Sequence, residues 1–155
     1  MVSEKFKNNK LKKHPLNFDH YEYVINNMRH WDQLEIMLMG YTKKRLLHMF
    51  DQLQGVTGTY ENIPVLCAGY QKFPNVCWYW FFGTPLVKDF FKNITREFKH
   101  MVETNEKKYP NDRHVVQVWN KHQDSIDWLN MLKFKPFSSF HVGKEEILLV
   151  ERNRI

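Results

Sequence analysis

The chain has 155 residues, of which 43% are hydrophobic and 15% aromatic, and its formal net charge is +6. This size and apolar content fit one domain with a single hydrophobic core. No apolar run reaches the roughly 18 residues of a membrane span. The basic N-terminus is not followed by the apolar stretch of a secretory signal, so we expect neither kind of segment.

Positive charge is concentrated at the start of the chain. Residues 1–14 contain one glutamate and five lysines, which are Lys5, Lys7, Lys10, Lys12 and Lys13. We therefore expect a basic, flexible arm over residues 1–16 and one folded domain over residues 17–155. Such an arm can contact nucleic acid or another acidic surface through these lysines, or it can be a solubilising terminus. Both interpretations stay open.

The first half of the domain begins with helical patterns. Apolar residues recur at spacings of three and four from Tyr23 to Leu38, which predicts one long helix or two short ones that end at Gly40. Thr42 is a favourable N-cap for a further helix that ends near Gly55. Three strands follow, over residues 57–61, 63–71 and 76–84, and the short turns between them predict antiparallel pairing.

The second half alternates between helix and strand. The longest helical pattern runs from Pro85 to about Lys108, and Pro85 suits its first turn. It is followed by a strand at 113–119 and a short, aromatic helix at 120–136 that can cover one face of a sheet. Two final strands are predicted, over residues 137–143 and 145–153.

This order predicts a single α/β (α+β) domain with a mixed central sheet. A strand, a helix and a second strand form a right-handed crossover, which makes the strands at 76–84 and 113–119 parallel neighbours. Alternation along the first of these strands places Trp78, Trp80 and Phe82 on one face. Core packing is the expected role of these rings, and base stacking beside the basic arm is the alternative.

Metal and redox chemistry have little support in the sequence. Cys67 and Cys77 are too few for a disulfide framework and lack the close spacing of a zinc site, so we expect two small buried side chains. The eight histidines include no HExxH pattern. We therefore expect no metal.

The order of elements resembles the GNAT fold, that of the Gcn5-related N-acetyltransferases. The late helix is similar to the family pattern at Ile126, Leu132 and Phe134. It departs from that pattern where His122, Leu129 and Lys133 stand in the places of an asparagine, a tyrosine and a glycine. The resemblance implies a GNAT-like mixed central sheet flanked by helices.

A closer resemblance is to the GNAT-like proteins of short-tailed bacteriophages known as internal virion protein A. It is carried by three short patterns, which are Met28, Arg29, Asp32 and Glu35, then Gly83 and Thr84, and then Trp128, Leu129 and Phe134. The resemblance covers roughly residues 18–153. It implies a component of the virion or the host cytoplasm, with other virion or host proteins as partners. Any weak nucleic-acid contact is expected through the basic arm, on the ground of its lysines.

The GNAT resemblance also implies where acetyl-CoA would bind. The cofactor would be held at Gly83, Thr84, Leu86 and Val87, where the parallel strands part. The loop lacks the run of glycines of the family and Pro85 removes one N–H donor. The alternative is an ordinary strand end, with Thr84 as N-cap of the following helix.

Acyl transfer needs a base for the amine and a proton donor for the departing thiolate. The resemblance places that donor at a tyrosine, but this chain has Leu129 there. The candidates for the catalytic role are therefore His122, Glu35 and Tyr79, and Tyr70 is a further candidate. Two functions remain open. The first is a non-catalytic or degenerate acetyltransferase-like virion or assembly component, and the alternative is an active acetyl-CoA-dependent N-acetyltransferase acting on a small-molecule or protein amine.

Overall fold

A computed structural model describes residues 10–152 of the chain. The strands in chain order are β1 (Lys12–Pro15), β2 (Gln54–Tyr60), β3 (Ile63–Phe73), β4 (Val76–Gly83), β5 (Arg113–Trp119), β6 (Phe134–Val142) and β7 (Glu145–Arg152). The α-helices are α1 (Phe18–Asn26), α2 (His30–Leu38), α3 (Lys43–His48), α4 (Phe91–Lys108) and α5 (Gln123–Met131). Two 3₁₀ helices, Phe50–Gln52 and Pro85–Phe90, precede β2 and α4.

The strands form one mixed sheet of seven strands in the order β1-β2-β3-β4-β5-β7-β6. β4 and β5 are parallel, and every other neighbouring pair is antiparallel. The predicted mixed sheet, the parallel crossover and the three antiparallel strands before it are therefore confirmed.

Helices cover both faces of the sheet because successive side chains of its central strands point to opposite sides. On one face α4 and α5 pack over Tyr79, and the buried side chains there include Phe98, Leu129 and Phe134. On the other face α1 to α3 pack over Trp80 and Phe82. Cys67 and Cys77 are both buried, as predicted.

Four local features differ from the sequence-based predictions. The helical pattern before Gly40 forms two helices, α1 and α2, which is one of the two predicted alternatives. α3 is shorter than predicted because the chain tightens into a 3₁₀ turn at Phe50–Gln52, and the helix predicted from Pro85 begins as a 3₁₀ turn, so α4 starts only at Phe91. Thr42 caps α3 as predicted, since its side chain accepts from the N–H of Arg45. The late helix ends at Met131 because Lys133 adopts a left-handed φ of 71°, and β6 then starts at Phe134.

The fourth difference lies within the predicted arm. Lys12–Pro15 form β1, which pairs antiparallel with β2 and places Lys12 opposite Thr59. The backbone N–H of Leu11 also donates to Asn93 Oδ1 of α4 at 2.7 Å. The sequence analysis did not predict this strand.

None of the helices in residues 10–152 combines the length and apolar character needed to cross a bilayer. In the same range, no group of His, Cys, Asp and Glu side chains is arranged to hold a metal ion.

Candidate functional site

A large cavity opens where β4 and β5 diverge. The two strands pair from Val76 with Arg113 to Tyr79 with Val116, and the pairing ends there. Beyond this point a cavity of about 1350 Å³ separates them. Its walls are mainly apolar, and their aromatic side chains include Trp31, Trp78, Trp80, Phe81, Trp119 and Trp128.

Three polar side chains of the cavity wall form a continuous hydrogen-bonded line. Glu35 Oε1 lies 2.7 Å from His122 Nδ1, and His122 Nε2 lies 3.0 Å from Ser125 Oγ. A carboxylate can only accept, so Nδ1 donates to Glu35, and in the neutral ring Nε2 then accepts from the Ser125 hydroxyl. The line therefore runs from hydroxyl to imidazole to carboxylate.

The ring of His122 is held in place by its surroundings. Trp31 stacks on it with 4.8 Å between centroids and an interplanar angle of 11°, and Trp119 lies 5.7 Å from Trp31. The His122 side chain is 4% exposed and the Glu35 side chain is 26% exposed. The imidazole is thus shielded from solvent and fixed in one plane.

Asp32 connects α2 to the end of β4. Its carboxylate accepts from Arg29 Nε at 3.0 Å and from Arg29 Nη2 at 3.2 Å, and also from the Gly83 N–H at 2.8 Å. The N–H of Arg29 donates in turn to the Gly83 carbonyl at 2.8 Å. Burial raises the pKa of Asp32, whereas Arg29 and the Gly83 N–H act in the opposite direction.

The predicted cofactor segment is a buried 3₁₀ turn instead of an open loop. The N–H and the hydroxyl of Thr84 both donate to the Val65 carbonyl at 2.9 Å, so Thr84 occupies the N-cap position without making a side-chain cap. The N–H of Gly83 donates to Asp32, and the N–H of Val87 donates to the Thr84 carbonyl. Several donors that a diphosphate would need are therefore already used by the protein.

Packing closes this segment further. Thr84 and Val87 are 5% and 6% exposed, Leu86 packs against the core under α4, and Phe90 is buried. A Cβ atom at Gly83 would lie 2.4 Å from the side chain of Val87. Among the four residues predicted to bind the cofactor, Val87 is the one that lines the cavity.

The structure brings together only part of the predicted catalytic set. Glu35 and His122 are hydrogen-bonded to each other, but the Tyr79 hydroxyl bonds His114 Nδ1 at 2.8 Å. Burial raises the pKa of Tyr79. Tyr70 packs 6.2 Å from Tyr79, and Leu129 is buried under the same face of the sheet.

Ser125 was missed by the sequence analysis. It lies three residues after His122, at a spacing that places two side chains on one face of a helix, so a signal was present. That signal becomes distinctive only once Glu35, 87 residues earlier than His122, is known to lie on the other side of the ring.

Of the predicted partner-binding lysines, the three that the structure describes, Lys10, Lys12 and Lys13, do not line the cavity. Lys5 and Lys7 fall outside the described residues. Lys10 and Lys12 are exposed, and Lys13 forms an ion pair with Glu97 of α4 at 3.3 Å.

No family model and no curated protein sequence matches this chain. Solved structures do. The PaiA N-acetyltransferase from Thermoplasma acidophilum, in complex with coenzyme A, has a TM-score of 0.71 and 12% sequence identity, with 93% of this chain and 99% of that chain covered.

Two further structures give the same result. An acetyltransferase of the GNAT family from Bacillus anthracis has a TM-score of 0.68 and 12% identity, over 92% of this chain and 94% of that one. A putative acetyltransferase from Salmonella typhimurium, with its cofactor acetyl-CoA, has a TM-score of 0.64 and 9% identity, over 92% and 93% of the two chains. The chain therefore has the GNAT fold, and at these identities the likeness extends to the fold alone.

Proposed function

We propose that this chain keeps the acetyltransferase fold without acetyl-CoA-dependent turnover, and serves as a virion or assembly component. The observation that carries the proposal is the buried 3₁₀ turn that occupies the predicted cofactor segment. A diphosphate needs converging, unengaged N–H groups at a helix start. Here Gly83 and Thr84 donate to protein atoms, and Pro85 has no N–H.

Two other features support loss of acetyl transfer. Leu129, at the position where the family has a tyrosine, is buried and has no proton to give to a thiolate. Asp89 places a buried carboxyl group just before α4 begins, at the end of a helix where a bound diphosphate would sit. The virion role itself rests on the sequence resemblance, with the exposed Lys10 and Lys12 and the preceding lysines as the proposed contact surface for partners.

Acetyl-CoA is expected to leave the melting temperature of the protein unchanged. A ligand at 100 times its dissociation constant would stabilise the folded state by about 2.7 kcal/mol, which a thermal scan detects readily. The measurement is a titration followed by differential scanning fluorimetry and repeated by calorimetry at two temperatures.

Stabilisation would contradict the proposal, and a matched pair of variants would then locate the binding. Lys88 is exposed at the cavity margin, so Lys88→Glu should weaken a diphosphate bound there. Lys44→Glu makes the same change of charge at an exposed position of α3, and it should not weaken diphosphate binding.

A second function is favoured by the hydrogen bond between Glu35 and His122. This pair lines the cavity between the parallel strands, where it can take a proton from an amine, as N-acetyl transfer to a small-molecule or protein amine requires. In this case acetyl-CoA would bind mainly through its acyl end in the aromatic cavity, and less through its diphosphate.

If the second function holds, Glu35→Gln is expected to lower amine acetylation by roughly 100-fold, because general-base catalysis contributes at least that much. Release of free CoA thiol in the presence of a mixture of polyamines and peptides measures the rate. Asp51→Asn is the matched control, since it removes an exposed carboxylate in the 3₁₀ helix before β2. This second function would be contradicted if Glu35→Gln and Asp51→Asn acetylated amines at equal rates, or if the rate of CoA release did not depend on the amine.

A further inference from the structure

The line formed by Ser125, His122 and Glu35 has the order and spacing of a nucleophile, a general base and an orienting carboxylate. Its two hydrogen bonds, of 3.0 Å and 2.7 Å, lie within the range found for such triads. We infer that these residues form a serine-nucleophile site that hydrolyses activated acyl esters or thioesters with an apolar acyl group. This activity goes beyond the proposed function and needs no CoA diphosphate.

The residue roles follow from the hydrogen bonds. Glu35 fixes the tautomer in which His122 Nδ1 carries the proton, so Nε2 is free to accept the proton of Ser125. Trp31 stacks on the ring and keeps Nε2 directed at the hydroxyl. Ser125 and His122 touch the reacting atoms and are the catalytic residues, whereas Glu35 is a positioning residue.

The start of α5 supplies donors for the oxyanion that forms when a serine attacks a carbonyl. His122 is the N-cap of α5, and its side chain makes no capping hydrogen bond to a backbone N–H of the first turn. The first N–H groups of a helix have no partner within it, and the helix dipole favours negative charge there. The N–H groups of Gln123 and Asp124 belong to the same turn as Ser125, so they are the candidates for this role.

The cavity indicates the class of substrate. Its walls around Trp31, Trp119 and Trp128 are aromatic and suit an apolar acyl chain. The indole Nε1 of Trp80, which also lines the cavity, is buried with no hydrogen-bond partner among the residues that the structure describes. A polar atom of the bound acyl compound other than its reacting carbonyl oxygen would satisfy that donor.

The reaction balances with water as the only co-reactant. Ser125 Oγ forms a bond to the acyl carbon while its proton passes to His122 Nε2. The bond to the leaving oxygen or sulfur then breaks, and His122 returns the proton to the leaving group. Water attacks the resulting acyl-serine, gives its proton to His122, and the proton returns to Ser125 as the carboxylic acid departs.

The first test is covalent labelling of the whole chain with an alkyl fluorophosphonate, read by intact mass and peptide mapping. We expect a single adduct on Ser125 and none in Ser125→Ala. Ser138→Ala removes an exposed serine of β6 and should label like the original chain. Absence of an adduct, or an adduct that persists in Ser125→Ala, overturns the inference.

The second test is turnover of p-nitrophenyl butyrate. Ser125→Ala is expected to abolish the catalysed rate, and Ser138→Ala to leave it unchanged. Glu35→Gln should lower kcat roughly 100-fold or more while KM stays the same, because Glu35 orients the base and does not contact the substrate. The assignment is contradicted if Glu35→Gln loses activity partly through a higher KM, or if Ser125→Ala hydrolyses the ester as fast as the original chain does.

These outcomes separate the inference from the proposed function. Ester hydrolysis with no response to acetyl-CoA supports both, and binding of acetyl-CoA with no labelling of Ser125 overturns both. If Ser125 is labelled and acetyl-CoA also binds, the triad is supported, and the proposed function, in which the chain does not use acetyl-CoA, is overturned.

Discussion

Replacing Asp32 by alanine is expected to lower the free energy of unfolding by about 3 kcal/mol, the lower end of the cost of breaking a buried ion pair. Asp32 is 5% exposed and accepts from Arg29 and from the N–H of Gly83. Alanine leaves that N–H buried and unpaired, and it also leaves a cavity. The lower end applies because the Arg29 side chain is 28% exposed and can regain water. Urea denaturation at pH 7 measures the change.

Asp32→Asn is the informative companion variant. Its amide oxygen can still accept from Gly83, so the expected loss is smaller than with alanine. Asp51→Asn, at an exposed position, should stay within about 0.5 kcal/mol of the original chain. If alanine and asparagine cost the same, the bond to Gly83 does not stabilise the fold and the explanation is wrong.

Asp32→Asn also tests how the free energy of unfolding depends on pH. Burial raises the pKa of Asp32 above its ordinary value of 3.8, so between these two values the folded chain binds more protons than the unfolded chain. The proton-linked part of this stability is therefore fully present below the ordinary value and is lost as pH rises through the raised one, whereas the hydrogen bonds from Arg29 and the Gly83 N–H still stabilise the fold at pH 7. This part of the decline should be absent in Asp32→Asn.

The second large effect is expected from Gly69→Ala, which should cost at least about 3 kcal/mol, the upper end of the usual cost of forcing extra atoms into packed structure. Gly69 lies opposite Gly55 in the β2–β3 pair. A Cβ atom at Gly69 would lie 1.8 Å from the Gln54 carbonyl oxygen and 2.6 Å from the Gly55 Cα atom. Both obstacles are backbone, so they can yield only if the strands separate.

Gly143→Ala is the matched control for this prediction. Gly143 has a φ of 60°, and an added Cβ would meet nothing within 4 Å. Its cost is therefore conformational and about 1 kcal/mol. Thermal and urea unfolding of both variants, with the original chain beside them, measure the difference. Equal losses would show that the close approach of β2 and β3 is not what Gly69 provides.

Hydrophobic periodicity was sufficient to predict most of the fold. The helical pattern from Pro85 to about Lys108 predicted α4, whose side chains Ile94 and Phe98 are buried. The parallel pairing of β4 with β5 followed from the handedness of a crossover. Such patterns act over a few residues or through general topology, so a single sequence contains enough information to reveal them.

Features that depend on distant partners could not be predicted in the same way. β1 is four residues long and lysine-rich, and it exists because β2 offers an unpaired edge. The 3₁₀ turn after β4 takes its shape from bonds to Val65 and Asp32, which lie 19 and 51 residues away in the chain. No local pattern specifies such contacts.

The candidate site shows the same limit. Glu35 and His122 were both identified as candidates, but nothing near either residue indicated that they form a pair. Ser125 is next to His122 on α5, yet a serine three residues after a histidine is common in helices. The combination becomes meaningful only when α2 brings a carboxylate to the other nitrogen of the ring.

The two outer strands of the sheet have a consequence for self-association. An exposed strand edge offers unpaired backbone groups to another chain and promotes aggregation, and lysine, proline and bulges oppose this. β1 carries Lys12, Lys13 and Pro15, and β6 carries Lys135 and Pro136, with a register shift beginning at Pro136. Both borders therefore resist the addition of a strand from a neighbouring molecule.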